Sequence, residues 1–369
     1  MIKIVFVITS LSGGGAERVF AHIIKNIDKN KFNIILAMGK KEGQFLDAVP
    51  KDIKIVELAG SKKSSESFLP LLRLLKKEKP DIVLSTLGMV STSALCSLLL
   101  PKHIRFIARL GNTISADLDR VKKESYLKYL AQRIYYNIVI RTSEIVTQSQ
   151  YMKNDLISIY PFAKSRKIYQ IYNPVEFYEN NDFKNTQNNT IQIITVGRFA
   201  WQKGYDYLIK AFHKVLQTNS SVKLTFMGTG VLEEEMKALA KELNILNNIE
   251  FAGHQNNPFE YIKNPDIFVS SSRFEGFSNV IIESLAHGIP VVATDCPSGN
   301  KEVLSQGENG WLSSMEGDIV KNLTDTIILA IREYKTLNMK EEKLKIMNKL
   351  NINTIVNQYE DLFLDMDKS

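Results

Sequence analysis

Two glutamates, Glu275 and Glu283, bracket the stretch "EGFSNVIIE", and Gly276 directly follows the first of them. A carboxylate at the end of a strand, followed by a glycine that allows a turn, can be presented to a ligand. Eight positions along a helix advance about 12 Å at 1.5 Å each. That is too far for both groups to act on one proton, and close to the distance from a sugar to the ribose of a nucleotide sugar. Between the two glutamates, the amides of Phe277, Ser278 and Asn279 open a helix, where N–H groups and the helix dipole attract anions. Taken alone, Glu283 also reads as a solvated helix residue; its apolar neighbours Ile281, Ile282 and Leu285 weaken that alternative.

Two further stretches carry charge or glycine where an anion could sit. In "VGRFAWQKG", Arg198 and Lys203 follow Gly197 and flank a turn. Fixed cations at the mouth of a sheet suit a diphosphate, above all one that leaves carrying negative charge. In "SLSGGGAERV", Gly13, Gly14 and Gly15 open a helix that Glu17 and Arg18 continue. Glycines there let amides approach a phosphate, although a tight turn with no ligand has the same pattern. A dinucleotide cofactor would need G-x-G-x-x-G and an acid near the end of the second strand. That strand ends "LAMGKKEG", with lysines first, so a nicotinamide cofactor is not expected.

These residues need strands that end together. The runs "IKIVFVIT", "FNIILAMG", "IKIVELA", "DIVLSTL", "IRFIARL" and "EIVTQS" alternate with helical patterns such as "AERVFAHIIKNID". Strands alternating with helices predict a parallel doubly wound sheet. After the polar, asparagine-rich "YNPVEFYENNDFKNTQNN" a second series follows: "IQIITVGR", "VKLTFMG", "IEFAGH", "DIFVSSS" and "IPVVATD". The chain of 369 residues therefore divides into a first Rossmann-like domain, 1–172, a linker, 173–189, and a second Rossmann-like domain, 190–345. A final helix, 346–369, is expected to pack back toward the first domain. Ligands of such sheets bind outside the carboxyl ends of the strands, which places the expected site in the cleft between the facing domains.

On "SGGGAERV", "VGRFAWQKG", the E-x7-E pair, "AHGIPVVATD" and "ENGWL", the chain resembles the retaining nucleotide-sugar glycosyltransferases of family four, over nearly its whole length. The resemblance implies the GT-B fold, and a transfer of a hexose or N-acetylhexosamine from a nucleotide diphosphate, UDP being the expected one, to a glycan acceptor. It implies Glu275 at the transferred sugar, Arg198 and Lys203 at the donor diphosphate, Glu283 at the ribose, and Gly14 and Gly15 under the diphosphate. Gly197 and the Gly276–Asn279 stretch join the donor set, and "FAGHQNNPFEYI" resembles the segment that meets the base, around His254. Many members have a histidine near the reacting sugar where this chain has "IARLGNTISAD"; Arg109 and Asn112, with Arg18, are the residues expected to face sugar and acceptor. The same stretch is similar to members that extend lipid-linked glycans. No metal or other cofactor is implied, and "DLD" at 117–119, an Asp-x-Asp pattern, falls in a helical, surface context.

Charge separates the halves. Residues 1–172 carry 28 basic against 14 acidic residues, and residues 173–369 carry 19 against 26, within a total of +7. A basic half suggests a nucleic acid, an anionic membrane or a phosphorylated ligand. A nucleic-acid partner is not expected, because aromatic and basic residues do not interleave on strands and the glutamate pair would be unexplained. An anionic membrane is expected. In "DLDRVKKESYLKYLAQRIYYNIVIR", Leu118, Val121, Leu127, Leu130 and Ile134 can share one apolar helical face beside Lys122, Lys123, Lys128 and Arg133, though that face could equally pack on the domain's own sheet. Cys96 and Cys296 lack disulfide or metal spacing, and the first apolar run is too short for an export signal. The expectation is a cytoplasmic protein held at the inner face of the membrane.

Overall fold

The computed structural model describes residues 1–176, 190–255, 257–262 and 265–367. They form two compact units, Met1–Pro174 with Ile352–Ser369, and Val175–Asn351. Most of the expected linker, 177–189, lies outside the described residues.

The first unit runs β1 (Ile2–Ile8), α1 (Gly15–Asn26), β2 (Phe32–Met38), β3 (Lys54–Glu57), α2 (Phe68–Glu78), β4 (Ile82–Thr86) and α3 (Met89–Ser97). It continues with β5 (Arg105–Arg109), α4 (Ile114–Glu124), α5 (Tyr126–Thr142), β6 (Glu144–Thr147), α6 (Gln150–Ile159) and β7 (Ile168–Gln170). All strands are parallel, in the order β3-β2-β1-β4-β5-β6-β7. Central strands covered on both faces explain the unbroken apolar runs of the sequence, since Val5, Phe6 and Val7 are all fully buried.

The second unit runs β8 (Ile191–Val196), α7 (Tyr205–Thr218), β9 (Val222–Met227), α8 (Glu233–Glu242), β10 (Ile249–Phe251), α9 (Pro258–Tyr261) and β11 (Ile267–Ser270). Then come α10 (Asn279–Ala286), β12 (Val291–Thr294), β13 (Gly310–Ser313), α11 (Ile319–Glu333) and α12 (Met339–Leu350). Its sheet is also parallel, ordered β10-β9-β8-β11-β12-β13. Strand order reverses beside β1 in one unit and β8 in the other, the switch points where such sheets bind ligands.

Three boundaries differ from the sequence reading. The edge strands β7 and β13 are too short to show a period. Position 346 lies inside α12 of the second unit; the final helix, α13 (Ile352–Asp367), begins only after the extended Asn351. It does belong to the first unit, where Phe363 meets the edges of Phe6 and Phe32, and Glu360 accepts from the Asp28 amide at 2.8 Å. The helix expected over "DLDRVKKESYLK" breaks at Ser125, whose extended backbone and side-chain bond to the Lys128 amide start α5 anew. The apolar face therefore divides: Leu118 and Val121 are buried, whereas Leu127, Leu130 and Ile134 are exposed. Among the described residues no helix is long and apolar enough to cross a membrane.

Candidate functional site

In the second unit the candidate residues gather on loops leaving the carboxyl ends of β8, β9, β10 and β11. Glu275, on the loop after β11, is 8% exposed and held from three sides. Ser272 Oγ donates to its Oε1 at 2.8 Å, Lys203 Nζ reaches the same oxygen at 2.6 Å, and Gln202 Nε2 donates to Oε2 at 3.3 Å. The loop itself is anchored by the Glu275 amide on Pro297 O and by the Gly299 amide on Gly276 O. The nearby Cys296 thiol is pushed up to about 11, first by burial and then by the charge of Glu275.

Lys203 ends a short 3₁₀ turn, Trp201–Lys203, that Gly204 closes in the left-handed conformation at φ +60°. A Cβ on Gly204 would stand 2.2 Å from Ser271 O, so turn and loop can approach only at a glycine. Ser271 Oγ then donates to Lys203 O, and the Arg273 amide to Gln202 O. Arg198 differs from Lys203: it is exposed, and among the described residues its side chain has no ion-pair partner. Gly197 brings this loop against the next, because a Cβ on Gly228 would lie 2.1 Å from Gly197 O. The Gly228 amide in turn donates to Gly253 O, beside the exposed His254. Gly197, Arg198, Lys203, His254 and Glu275 thus share one edge of the second sheet.

Phe277 and Ser278 are buried before α10, and among the described residues the Ser278 hydroxyl has no hydrogen-bond partner. Asn279 begins the helix and half-buried Glu283 lies on its second turn. The 12 Å helical spacing between the glutamates is therefore corrected. Residues 275–278 are not helical, so only the four steps from Asn279 to Glu283, about 6 Å, advance along the axis.

The first unit places its candidates differently. Gly14 caps α1, and a Cβ on it would meet Glu17 Oε2 at 2.2 Å, so a carboxylate of the chain itself lies at this helix start. Gly15 is exposed and Arg18 half-buried. Asn112 is exposed, but Arg109 is not available as expected: it is 1% exposed, with Nη2 donating to Asn173 Oδ1 and Nη1 to Thr86 Oγ1. Its place on β5, covered on both faces, turns it into the unit's interior. Asp117 of "DLD" is likewise engaged, accepting from Arg120, Gln132 and Tyr136.

Residues 13–177 match the family model "Glycosyltransferase Family 4", and residues 177–346 match "Glycosyl transferases group 1". The N-acetylgalactosamine-N,N'-diacetylbacillosaminyl-diphospho-undecaprenol 4-alpha-N-acetylgalactosaminyltransferase of Campylobacter jejuni is 30% identical, over 86% of this chain and 87% of its own. This chain belongs to glycosyltransferase family 4. The capsular polysaccharide biosynthesis glycosyltransferase CapH of Staphylococcus aureus is 26% identical over 99% of both chains. HepE of Anabaena, solved in complex with UDP-glucose, superposes with a TM-score of 0.81 over 99% of this chain and all of its own, at 19% identity, and shares the GT-B fold.

Two residues of this glycosyltransferase escaped the sequence reading. Arg273 lies over the rings of Tyr207 and Trp201, at 4.2 and 4.8 Å, donates to Trp201 O, and pairs with Asp206 at 2.7 Å; it holds the turn that carries Lys203. His287 caps the end of α10, with Nδ1 2.8 Å from Glu283 O and its ring stacked on Phe259. Burial, with Lys343 adding, pushes its pKa down to about 4, so the ring stays neutral. The only sequence signals were an arginine two residues before Glu275 and a histidine four after Glu283.

Proposed function

We propose that this glycosyltransferase moves a hexose or N-acetylhexosamine, with retention, from a UDP-sugar to a glycan acceptor carried on a lipid diphosphate. The process would be assembly of a surface polysaccharide or glycoconjugate at the inner face of the membrane. The observation that carries the reading is the pairing of buried Glu275 with Lys203 on the same sheet edge as the exposed Arg198. A departing diphosphate gathers negative charge, and preorganised cations stabilise that charge more than the ground state. Arg198 stands ready for it, and Lys203 can transfer its interaction from Glu275 to phosphate oxygen. Glu275 is then released to accept hydrogen bonds from hydroxyls of the transferred sugar, while Ser272 and Gln202 keep the carboxylate in place. Glu283 is proposed to hold the ribose; the acceptor hydroxyl attacks on the face the diphosphate leaves, the bond from the sugar to the phosphate oxygen breaks, and the hydroxyl proton passes to that departing oxygen. The leaving charge is met by the chain's own cations, so the reading calls for no metal or other cofactor, and it includes no nucleic-acid partner.

UDP as nucleotide draws support from the UDP-glucose in HepE, and the lipid diphosphate from the substrate named for the Campylobacter enzyme. The capsular relative supports the polysaccharide. Thermal-shift titration with UDP-, GDP- and ADP-sugars is the first test, because a ligand bound only by the folded state raises its melting temperature. UDP-sugars should do so, and Glu283→Ala should lower their affinity by the roughly 1.5–3 kcal/mol of a charge-assisted hydrogen bond. If no nucleotide sugar stabilises the protein, the reading fails.

A further inference from the structure

Fifteen large apolar side chains are exposed among the described residues, and eight of them cluster on three neighbouring helices of the first unit. Leu69 opens α2. Leu95 lies on the last turn of α3, with Leu98 and Leu99 just beyond it. Tyr126, Leu127, Leu130 and Ile134 lie on the first half of α5. The helices adjoin: α3 packs on both α2 and α5, and Cys96 Sγ approaches Phe68 O at 3.8 Å, next to Leu69. Leu127 is 77% exposed and Ile134 63%, while the later residues Val139 and Ile140 of the same helix are buried. α5 is therefore apolar on its inner face at one end and on its outer face at the other. An outer face of this kind is not needed to fold the unit.

The charges around it have one predominant sign. Between residues 119 and 133 there are five basic residues against Asp119 and Glu124, and Glu124 is already paired with Arg120 and lies 3.7 Å from Lys128. Lys122, Lys123, Lys128 and Arg133 are exposed on α4 and α5, as are Arg73, Lys76 and Lys77 on α2 and Lys102 after α3. We propose that this leucine-rich face of α2, α3 and α5 seats the protein on an anionic lipid surface, its apolar side chains entering the acyl boundary and its basic rim meeting the headgroups. Apolar burial and attraction to anionic lipid together give such faces their affinity. This names the surface behind the membrane part of the function proposed above.

The test is co-sedimentation with vesicles of phosphatidylcholine, alone or mixed with phosphatidylglycerol, without donor or acceptor, so that its failure is distinguishable from failure of the glycosyl-transfer reading. Binding should require the anionic lipid at low salt and fall as salt rises. Lys122→Ala and Lys123→Ala should each weaken it about fivefold, and Leu127→Gln with Ile134→Gln at least about tenfold. These exposed positions should leave the melting temperature unchanged. Leu344→Gln, at an exposed site of the second unit, should leave binding unchanged. The proposal is overturned if anionic vesicles do not bind, or if the α5 double variant binds as well as the parent. It is also overturned if the protein alone sediments as a dimer that Leu127→Gln and Ile134→Gln dissociate, since the face would then join two copies.

Discussion

Replacing Lys203 by methionine should cost both turnover and stability, whereas Arg198→Met should cost turnover alone. The two cations are five positions apart and serve the same proposed charge, but they rest differently in the folded protein. Lys203 Nζ lies 2.6 Å from an oxygen of Glu275, with the lysine side chain 20% and the glutamate side chain 10% accessible. Losing a charge-assisted hydrogen bond of that kind costs roughly 1.5–3 kcal/mol, and leaving a fully buried partner unpaired costs about 3–5 kcal/mol. Because the ammonium is partly hydrated, about 2–3 kcal/mol is expected, which for a unit of this size lowers the melting temperature by about 4–12 °C. Arg198 is exposed, and its loss should stay within about 0.5 kcal/mol. Urea or thermal unfolding of the two variants separates them, and single-turnover transfer should show both slowed by about 10²–10³-fold. Adding Glu275→Gln to Lys203→Met should restore most of the stability, since no uncompensated carboxylate then remains. Equal melting temperatures for Arg198→Met and Lys203→Met would refute the argument.

Gly204→Ala should destabilise by at least about 2 kcal/mol, combining a left-handed backbone with a Cβ 2.2 Å from Ser271 O, and a melting curve like that of the parent would contradict the close approach described. His287 stays neutral in the fold down to about pH 4, but in the unfolded chain it takes up a proton near 6.5. Its contribution is therefore complete above pH 6.5 and is lost as pH falls toward 4, which amounts to about 2 kcal/mol between pH 7 and pH 5. Urea midpoints of His287→Gln should fall less steeply over that interval; an unchanged slope counts against the assignment. Phe363→Ala should cost about 3–5 kcal/mol by emptying the space between Phe6 and Phe32, measured as a loss of first-unit stability in denaturant.

The sequence showed the strand-ending residues clearly, because each conspicuous motif follows an apolar run that can only be a buried strand. Glu275 after "DIFVSSS" and Arg198 at the end of "IQIITVGR" were readable on that ground. Arg109 was not. A strand covered on both faces has no alternation to reveal where a side chain points, and Arg109 turned out to hold Asn173 inside the unit. Arg273 depends on the rings of Tyr207 and Trp201, 66 and 72 positions before it, contacts that no local pattern encodes. The break between α4 and α5 could have been foreseen: Ser125 is a good N-cap residue, but a long run of helix-compatible residues on both sides obscured it.

The contribution of α13 to the first unit also bears on how the chain acquires its structure during synthesis. Val175–Asn351 is one continuous segment and can finish folding as soon as it has left the ribosome. The first unit, although translated earlier, must wait: Phe6 and Phe32 lack Phe363 until the second unit has been made. For the time needed to translate the second unit, at about 5–20 residues per second, the nascent first sheet carries an uncovered aromatic surface. The unit translated first is thus the one completed last, and its folding yield should depend more on chaperones than that of the unit translated after it.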